Sequence, residues 1–171
     1  MSYTYRIVYL SLLVALSLSL FLLEGLIPLP FLAPGAKLGL SNLITVVALY
    51  SLPHARDALL VLFARILLSS LFGGGPTILF YSLAGGLLSF GLMILLKRSN
   101  SFSMLGVSAA GGFFHNVGQL LIASLVLETP RLWNNLPILA PCGIFTGLLI
   151  GMVSAWTLKK INRRQTPGGL L

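Results

Sequence analysis

Six apolar runs, separated by short stretches of proline, glycine or charge, occupy most of this 171-residue chain. A helix needs about 20 apolar residues to cross the hydrocarbon of a bilayer. The pattern predicts an all-α, polytopic membrane protein of about six transmembrane helices, with residues 1–171 forming a single transmembrane domain. The runs are Ile7 to Leu26, Gly39 to Leu52, Ala58 to Phe72, Ile78 to Leu96, Phe102 to Leu127 and Leu136 to Leu158.

The second and third runs are short for spanning helices. They are therefore expected to be buried in the bundle, tilted, or extended by loop residues. An alternative joins them through Pro53 into one span, which gives five spans. That alternative would place His54, Arg56, Asp57 and Arg65 at membrane depth, which is energetically unfavourable, so six spans are preferred.

Positive charge is distributed unevenly between the breaks. The chain has 11 Lys and Arg but 3 Asp and Glu, a net charge of +8. On a six-span topology, Lys37 and Arg131 fall on one side and most of the other basic residues on the opposite side. Because positive charge marks cytoplasmic segments, we predict that both termini are cytoplasmic. The residues on the predicted cytoplasmic side are Arg6, Arg56, Lys97, Arg98, Lys159, Lys160, Arg163 and Arg164.

Composition also argues against several classes of partner. Only 8% of residues are charged, which leaves no continuous basic face for nucleic acid. Residues 159–171 instead suit a short basic cytoplasmic tail near anionic lipid headgroups. The single cysteine, Cys142, forms no CxxC or Cys/His cluster, so we expect no metal and no cofactor.

Arg65 lies in the middle of the third apolar run. A cation at that depth must face the bundle interior or a wet cavity. Because Glu24, Asp57 and Glu128 all fall near run ends, we expect no acid at comparable depth. Arg65 could bind backbone carbonyls or reach Glu24 or Asp57, but we favour an anion-binding role, since a guanidinium offers forked donors.

The fifth run carries a polar cluster. His115 and Gln119 are four residues apart and Asn116 and Gln119 are three apart, so the three side chains share one helical face. Such groups in hydrocarbon need partners from each other, from other helices or from a ligand. With Arg65 at similar depth, we favour contact with a ligand.

Further polar residues are expected to face the same pocket. Asn42 and Thr45 lie three apart in the second run, although Thr45 could bond its own helix backbone. Tyr81 could contribute a hydroxyl, with an interfacial anchor as the alternative. The proline-rich segment 28–37 is predicted to be a lid over an outward-facing pocket.

Small residues also form a pattern. Ser11, Ala15 and Ser19 recur every four residues on the first helix, a spacing that permits close helix contact in lipid. This face could pack within the chain or dock a separate subunit. The pairs Gly85–Gly86 and Gly111–Gly112 are expected to serve close packing within the bundle.

Three motifs together resemble a known bacterial membrane family. Lys37-Leu-Gly-Leu-Ser-Asn42-Leu-Ile-Thr45, Tyr81-Ser-Leu-Ala-Gly-Gly86 and His115-Asn116-Val-Gly-Gln119-Leu are similar to those of the Gx transporter family, also called heptaprenyl diphosphate synthase component I. That family is grouped with the S components of energy-coupling factor (ECF) vitamin transporters. The resemblance implies a six-helix bundle in the cell membrane, an outward-opening pocket, and docking through small residues of the first helix.

The resemblance leaves two functions open. The first is a substrate-binding subunit that takes up a small, anionic, vitamin- or isoprenoid-related compound. Since the chain has no Walker A motif, ATP-driven uptake requires a transmembrane coupling subunit with ATPases. The second is an accessory role beside a prenyl synthase subunit. Prenyl synthases hold Mg²⁺ with paired aspartates, whereas this chain has the single aspartate Asp57, so we predict that it is not itself an enzyme.

Overall fold

The computed structural model describes residues 3–26 and 39–165. The described chain is helical and contains no strand, which confirms the all-α prediction. A π-helical turn, Ser70–Gly74, lies between the third and fourth α-helices, and a 3₁₀ turn, Pro130–Asn135, precedes the sixth. The α-helices are α1 Tyr3–Gly25, α2 Asn42–Ser51, α3 Ala55–Ser69, α4 Gly75–Arg98, α5 Met104–Val126 and α6 Leu136–Gln165.

Four of these helices, α1, α4, α5 and α6, are long and apolar enough to cross a membrane. The chain is therefore a multi-pass membrane protein. Helix α2 has 10 residues, so it extends about 15 Å at the usual helical rise. Helix α3 continues through the π-helical turn to Gly74, which extends it to about 30 Å. The number of complete spans stays a prediction.

The chain between α2 and α3 is not helical. Leu52 has an extended backbone conformation, and so does His54, which caps the start of α3. The alternative of one continuous helix through Pro53 is therefore wrong for this segment. A proline lacks the amide hydrogen that a helix interior requires, and the residue before it is biased away from helical geometry.

Apolar side chains lie both inside and outside the bundle. Leu49, Leu62, Ile66 and Val107 are almost completely buried and belong to one central cluster. Large apolar side chains also cover the outer surface, including that of α1 and α6. In water this surface would be unfavourable, whereas lipid tails are as apolar as these side chains.

Glycines bring α4, α5 and α6 into backbone contact. A Cβ atom added at Gly118 of α5 would lie 2.6 Å from the carbonyl oxygen of Ala84 in α4. One added at Gly143 of α6 would lie 2.7 Å from the carbonyl oxygen of Gly112 in α5. The prediction that the pairs Gly85–Gly86 and Gly111–Gly112 serve close packing is confirmed. An added Cβ atom would meet α5 at Gly85, α3 at Gly86, α4 at Gly111 and α6 at Gly112, in each case at 3.0 Å or less.

Polar contacts tie four helix ends together at one end of the bundle. Arg6 near the start of α1 forms an ion pair with Asp57 at the start of α3. Lys97 at the end of α4 donates a 2.6 Å hydrogen bond to the carbonyl oxygen of Leu49, near the end of α2. Tyr9 donates to Ser51 at the same end. Basic residues assigned to the cytoplasmic side thus lie at one end of the molecule.

We predict that this basic end faces the cytoplasm. In a Cys142→Ser background, single cysteines at Ser2 and Gln165 should resist an impermeant thiol reagent added to intact cells. A cysteine at Asn134, which is exposed between α5 and α6, is the matched control and should react from outside. Labelling of the Ser2 or Gln165 position from outside, with protection at Asn134, would invert the topology.

Candidate polar site between the helices

A small polar cavity lies between α2, α4, α5 and α6. Its volume is about 20 Å³, which is room for roughly one water molecule. Apolar side chains and glycines complete the wall. The polar side chains that line it are Asn42, Ser89, Ser108, His115, Asn116 and Thr146.

Helix α5 supplies two buried polar groups that lack partners. Ser108 and His115 are seven residues apart on one face and are 2% and 7% exposed. The backbone of Gly85 interacts with the His115 ring, but within the described residues Nδ1 has no hydrogen bond of normal geometry. Ser108 Oγ has none either. Buried polar atoms are normally satisfied, so these two are open positions for a ligand or a water molecule.

Asn116 connects the cavity wall to α6. Its side-chain amide donates a 2.7 Å hydrogen bond to the carbonyl oxygen of Leu139, near the start of α6. The approach depends on Gly143, because a Cβ atom added there would lie 2.6 Å from Asn116 Nδ2. Asn116 therefore both lines the cavity and fixes the distance between α5 and α6.

Arg65 binds the residues that begin α2. Its Nη1 donates to Ser41 Oγ at 3.0 Å and its Nη2 to Asn42 Oδ1 at 3.3 Å. The side chain is 3% exposed, and its Nε has no hydrogen-bond partner in the described chain. In this structure Arg65 reaches the cavity through Asn42, and its role as a direct anion-binding group stays a prediction.

Glu24 at the end of α1 completes the same network. Its carboxylate accepts hydrogen bonds from the backbone amides of Gly39 and Leu40, the latter at 3.0 Å. It is 2% exposed, and its charge attracts that of Arg65. The alternative in which Arg65 interacts with Glu24 is thus favoured, because both residues bind the segment 39–42 that leads into α2. Whether an acid shares the membrane depth of Arg65 stays a prediction.

Three other predicted site residues are not among those lining this cavity in the described structure. Thr45 is buried with its hydroxyl unpaired. Gln119 packs against Gly85, where an added Cβ atom would lie 3.0 Å from its Cγ. Tyr81 is partly buried on α4. Their predicted contact with a ligand stays a prediction.

Three residues that line the cavity were not predicted from the sequence, namely Ser89, Ser108 and Thr146. Glu24, which the sequence offered only as a possible partner of Arg65, and Ser41 support the cavity. The spacing of Ser108, seven residues before His115, was a usable signal because it places both on one helical face. Thr146 gave no such signal, since its hydroxyl donates to the carbonyl oxygen of Cys142 in its own helix.

The small-residue face of α1 points outward. Ser11, Ala15 and Ser19 are exposed, whereas Leu13 and Ser17 on the other face of α1 are buried. In the described structure this face therefore does not pack within the chain. The proline-rich segment predicted to be a lid lies outside the described residues.

No metal site accompanies the cavity. Across residues 3–26 and 39–165, no group of three or more His, Cys, Asp or Glu side chains could hold a metal ion. Cys142 is exposed near the start of α6, where it is separated from the basic end of the bundle.

The profile of the heptaprenyl diphosphate synthase component I family matches residues 13–157. The chain belongs to this family. No curated protein sequence matches this component I protein significantly.

The fold has a solved relative. The S component of a bacterial ECF transporter superposes with a TM-score of 0.70 at 19% sequence identity, over 96% of this chain and 99% of the other. The prediction of an S-component-like bundle is therefore confirmed at the level of the fold.

We predict that Glu24 and Arg65 are energetically coupled. Glu24→Gln and Arg65→Gln should each lower the free energy of unfolding by about 3 kcal/mol, because each removes one charge of a buried, attracting pair. The double variant should lose less than the sum by about 1–3 kcal/mol. Unfolding in mixed micelles measures all four proteins. The exposed Arg98→Gln is the control and should change stability by less than about 0.5 kcal/mol. Additive losses would show that the two charges do not interact.

Proposed function

We propose that this component I protein is a membrane-embedded substrate-binding subunit that takes up a small compound from outside the cell. The observation that carries the proposal is the buried cavity in which His115 Nδ1 and Ser108 Oγ have no hydrogen-bond partner within the described chain. Leaving such groups unsatisfied costs about 1–3 kcal/mol each. A ligand that bonds to them recovers that cost.

Asn42, His115 and Asn116 are proposed to contact the ligand directly. Arg65 holds Asn42 in place and contributes positive potential to the pocket. Since Glu24 offsets much of that charge, an anionic ligand is supported mainly by the free donor at Arg65 Nε. A carboxylate or phosphate could bind there if Asn42 moved aside.

Binding requires the cavity to expand. At about 20 Å³ it admits a water molecule and no organic compound. We propose that the described conformation is closed, and that the ligand enters from the outer end and is released inward after a conformational change.

A separate subunit is proposed to dock on α1. The exposed Ser11, Ala15 and Ser19 face would allow a second transmembrane helix to approach closely. A transmembrane coupling subunit associated with ATPases fits this surface and the S-component-like fold. Ser19 already bonds the backbone of Ala15, so it presents no unsatisfied hydroxyl to lipid.

The family name supports a second candidate, a non-catalytic accessory subunit of heptaprenyl diphosphate synthase. In both proposals the chain is not an enzyme, and the fold likeness and the designation "component I" agree with that. The two candidates differ in partner and ligand. In the uptake role the chain would bind a coupling subunit, whereas in the accessory role it would bind a prenyl synthase subunit.

We predict that His115→Leu weakens ligand binding at least tenfold, about 1.4 kcal/mol, without lowering thermal stability. The imidazole Nδ1 is unpaired, so replacing it by an apolar group of similar size costs the fold little. Mass spectrometry of compounds that co-purify with the full chain gives the ligand, and its binding to each variant is then titrated.

Thr157→Val is the matched control, because Thr157 bonds its own helix backbone away from the cavity. It should retain wild-type binding. A His115→Leu protein that melts earlier and still binds the compound would assign His115 a structural role. Recovery of polyprenyl lipid alone, together with a prenyl synthase subunit, would favour the accessory function.

We predict that Ala15→Leu weakens co-purification of a coupling subunit while the isolated chain keeps its melting temperature. The added side chain points outward, so it disturbs a partner helix and not the bundle. Gly91→Leu on α4 is the matched control, since a Cβ atom added at Gly91 meets nothing within 4 Å. If both variants, or neither, fail to co-purify the coupling subunit, the small-residue face of α1 is not its docking site.

A further inference from the structure

An apolar groove adjoins the polar cavity on the side that faces lipid. It lies between the start of α2 and the middle of α6 and has a volume of about 140 Å³. Its walls are Leu40, Leu43, Thr146, Leu149, Ile150 and Val153. Leu149 and Val153 are 43% and 47% exposed. Because α6 is long and apolar enough to span the membrane, the open side of this groove faces the hydrocarbon of the bilayer.

The groove and the cavity share a wall. Thr146 and Ile150, one turn apart on α6, line both spaces. The Thr146 hydroxyl is used within its own helix, so the side chain has no polar bond to α2 in the described structure. Rotation of these two side chains would connect the polar space to the lipid-facing space without breaking a described hydrogen bond between helices.

We propose that the ligand is an amphiphile, with a polar head in the cavity and an apolar tail in the α2–α6 groove. This rests on the proposed substrate-binding function and deepens it by naming the class of ligand. The head meets the unpaired donors and acceptors of Ser108 and His115. The tail buries apolar surface against Leu43, Leu149 and Val153.

The size of the groove limits what can occupy it. A volume of about 140 Å³ is close to the roughly 150 Å³ of an apolar cavity that accepts a benzene-sized group. It therefore holds a tail segment of about five or six carbons, and a longer tail continues into the bilayer through the open side. The space is too small to seat a partner helix, whose diameter with side chains is about 10 Å.

The test uses the full chain in lipid nanodiscs and a ten-carbon alcohol that carries a photoreactive diazirine on its tail. We expect saturable cross-links at Leu43, Leu149 or Val153, located by mass spectrometry. Leu149→Trp should reduce them about tenfold, because the indole fills the groove. His115→Leu should also reduce them, because the head loses its anchor. Phe145→Trp, an exposed site on α6 outside the groove wall, should change nothing.

Three outcomes would overturn the proposal. Labelling that does not saturate and that reaches Phe145 equally would show ordinary contact with bilayer lipid. Saturable labelling that His115→Leu does not reduce would show that the groove and the cavity do not hold the same ligand. If a wholly polar compound co-purifies and binds equally well to the wild type and to Leu149→Trp, the amphiphile proposal is refuted. The proposed substrate-binding function would still stand. That function itself fails if no compound binds and no coupling subunit associates.

Discussion

The buried charges of Glu24 and Arg65 constrain the position of three helices at once. Neither charge is tolerable inside the bundle unless it is paired and hydrogen-bonded. Their common partners are the backbone and side chains of residues 39–42, which begin α2. The end of α1, the start of α2 and the middle of α3 are therefore linked through this short segment. Asn42 reaches the cavity because this network holds it there.

Much of the architecture could be predicted from the apolar runs. Each run became a helix, because in lipid the backbone must satisfy its own hydrogen bonds. The helix ends differ from the ends of the apolar runs where residues outside a run continue the helix. Helix α1 begins at Tyr3, four residues before the run, because tyrosine and arginine are compatible with a helix at the interface. The third helical stretch reaches Gly74, beyond the apolar run, because its backbone continues as a π-helical turn.

The site was less predictable, for reasons that particular residues show. His115, Asn116 and Asn42 line the cavity, as expected for polar side chains in apolar runs. Gln119 shares the His115 face but meets Gly85 of α4, and the sequence does not reveal which neighbouring helix covers each turn. Glu24 lies near the end of the first apolar run, and the sequence does not reveal that residues 39–42 connect it to Arg65.

The glycine contacts described for α4, α5 and α6 hold these three helices close together. Backbones in direct contact cannot slide or separate without opening voids, so these three helices are expected to behave as one stiff body. Helices α1 to α3 pack around apolar side chains such as Leu49, Leu62 and Ile66 and are also linked by ion pairs and buried hydrogen bonds. Between the two parts the chain passes through Gly75, whose φ of 63° suits a glycine. Any change of shape is therefore expected to leave α4, α5 and α6 together, with Gly75 marking the point where the chain enters this stiff body.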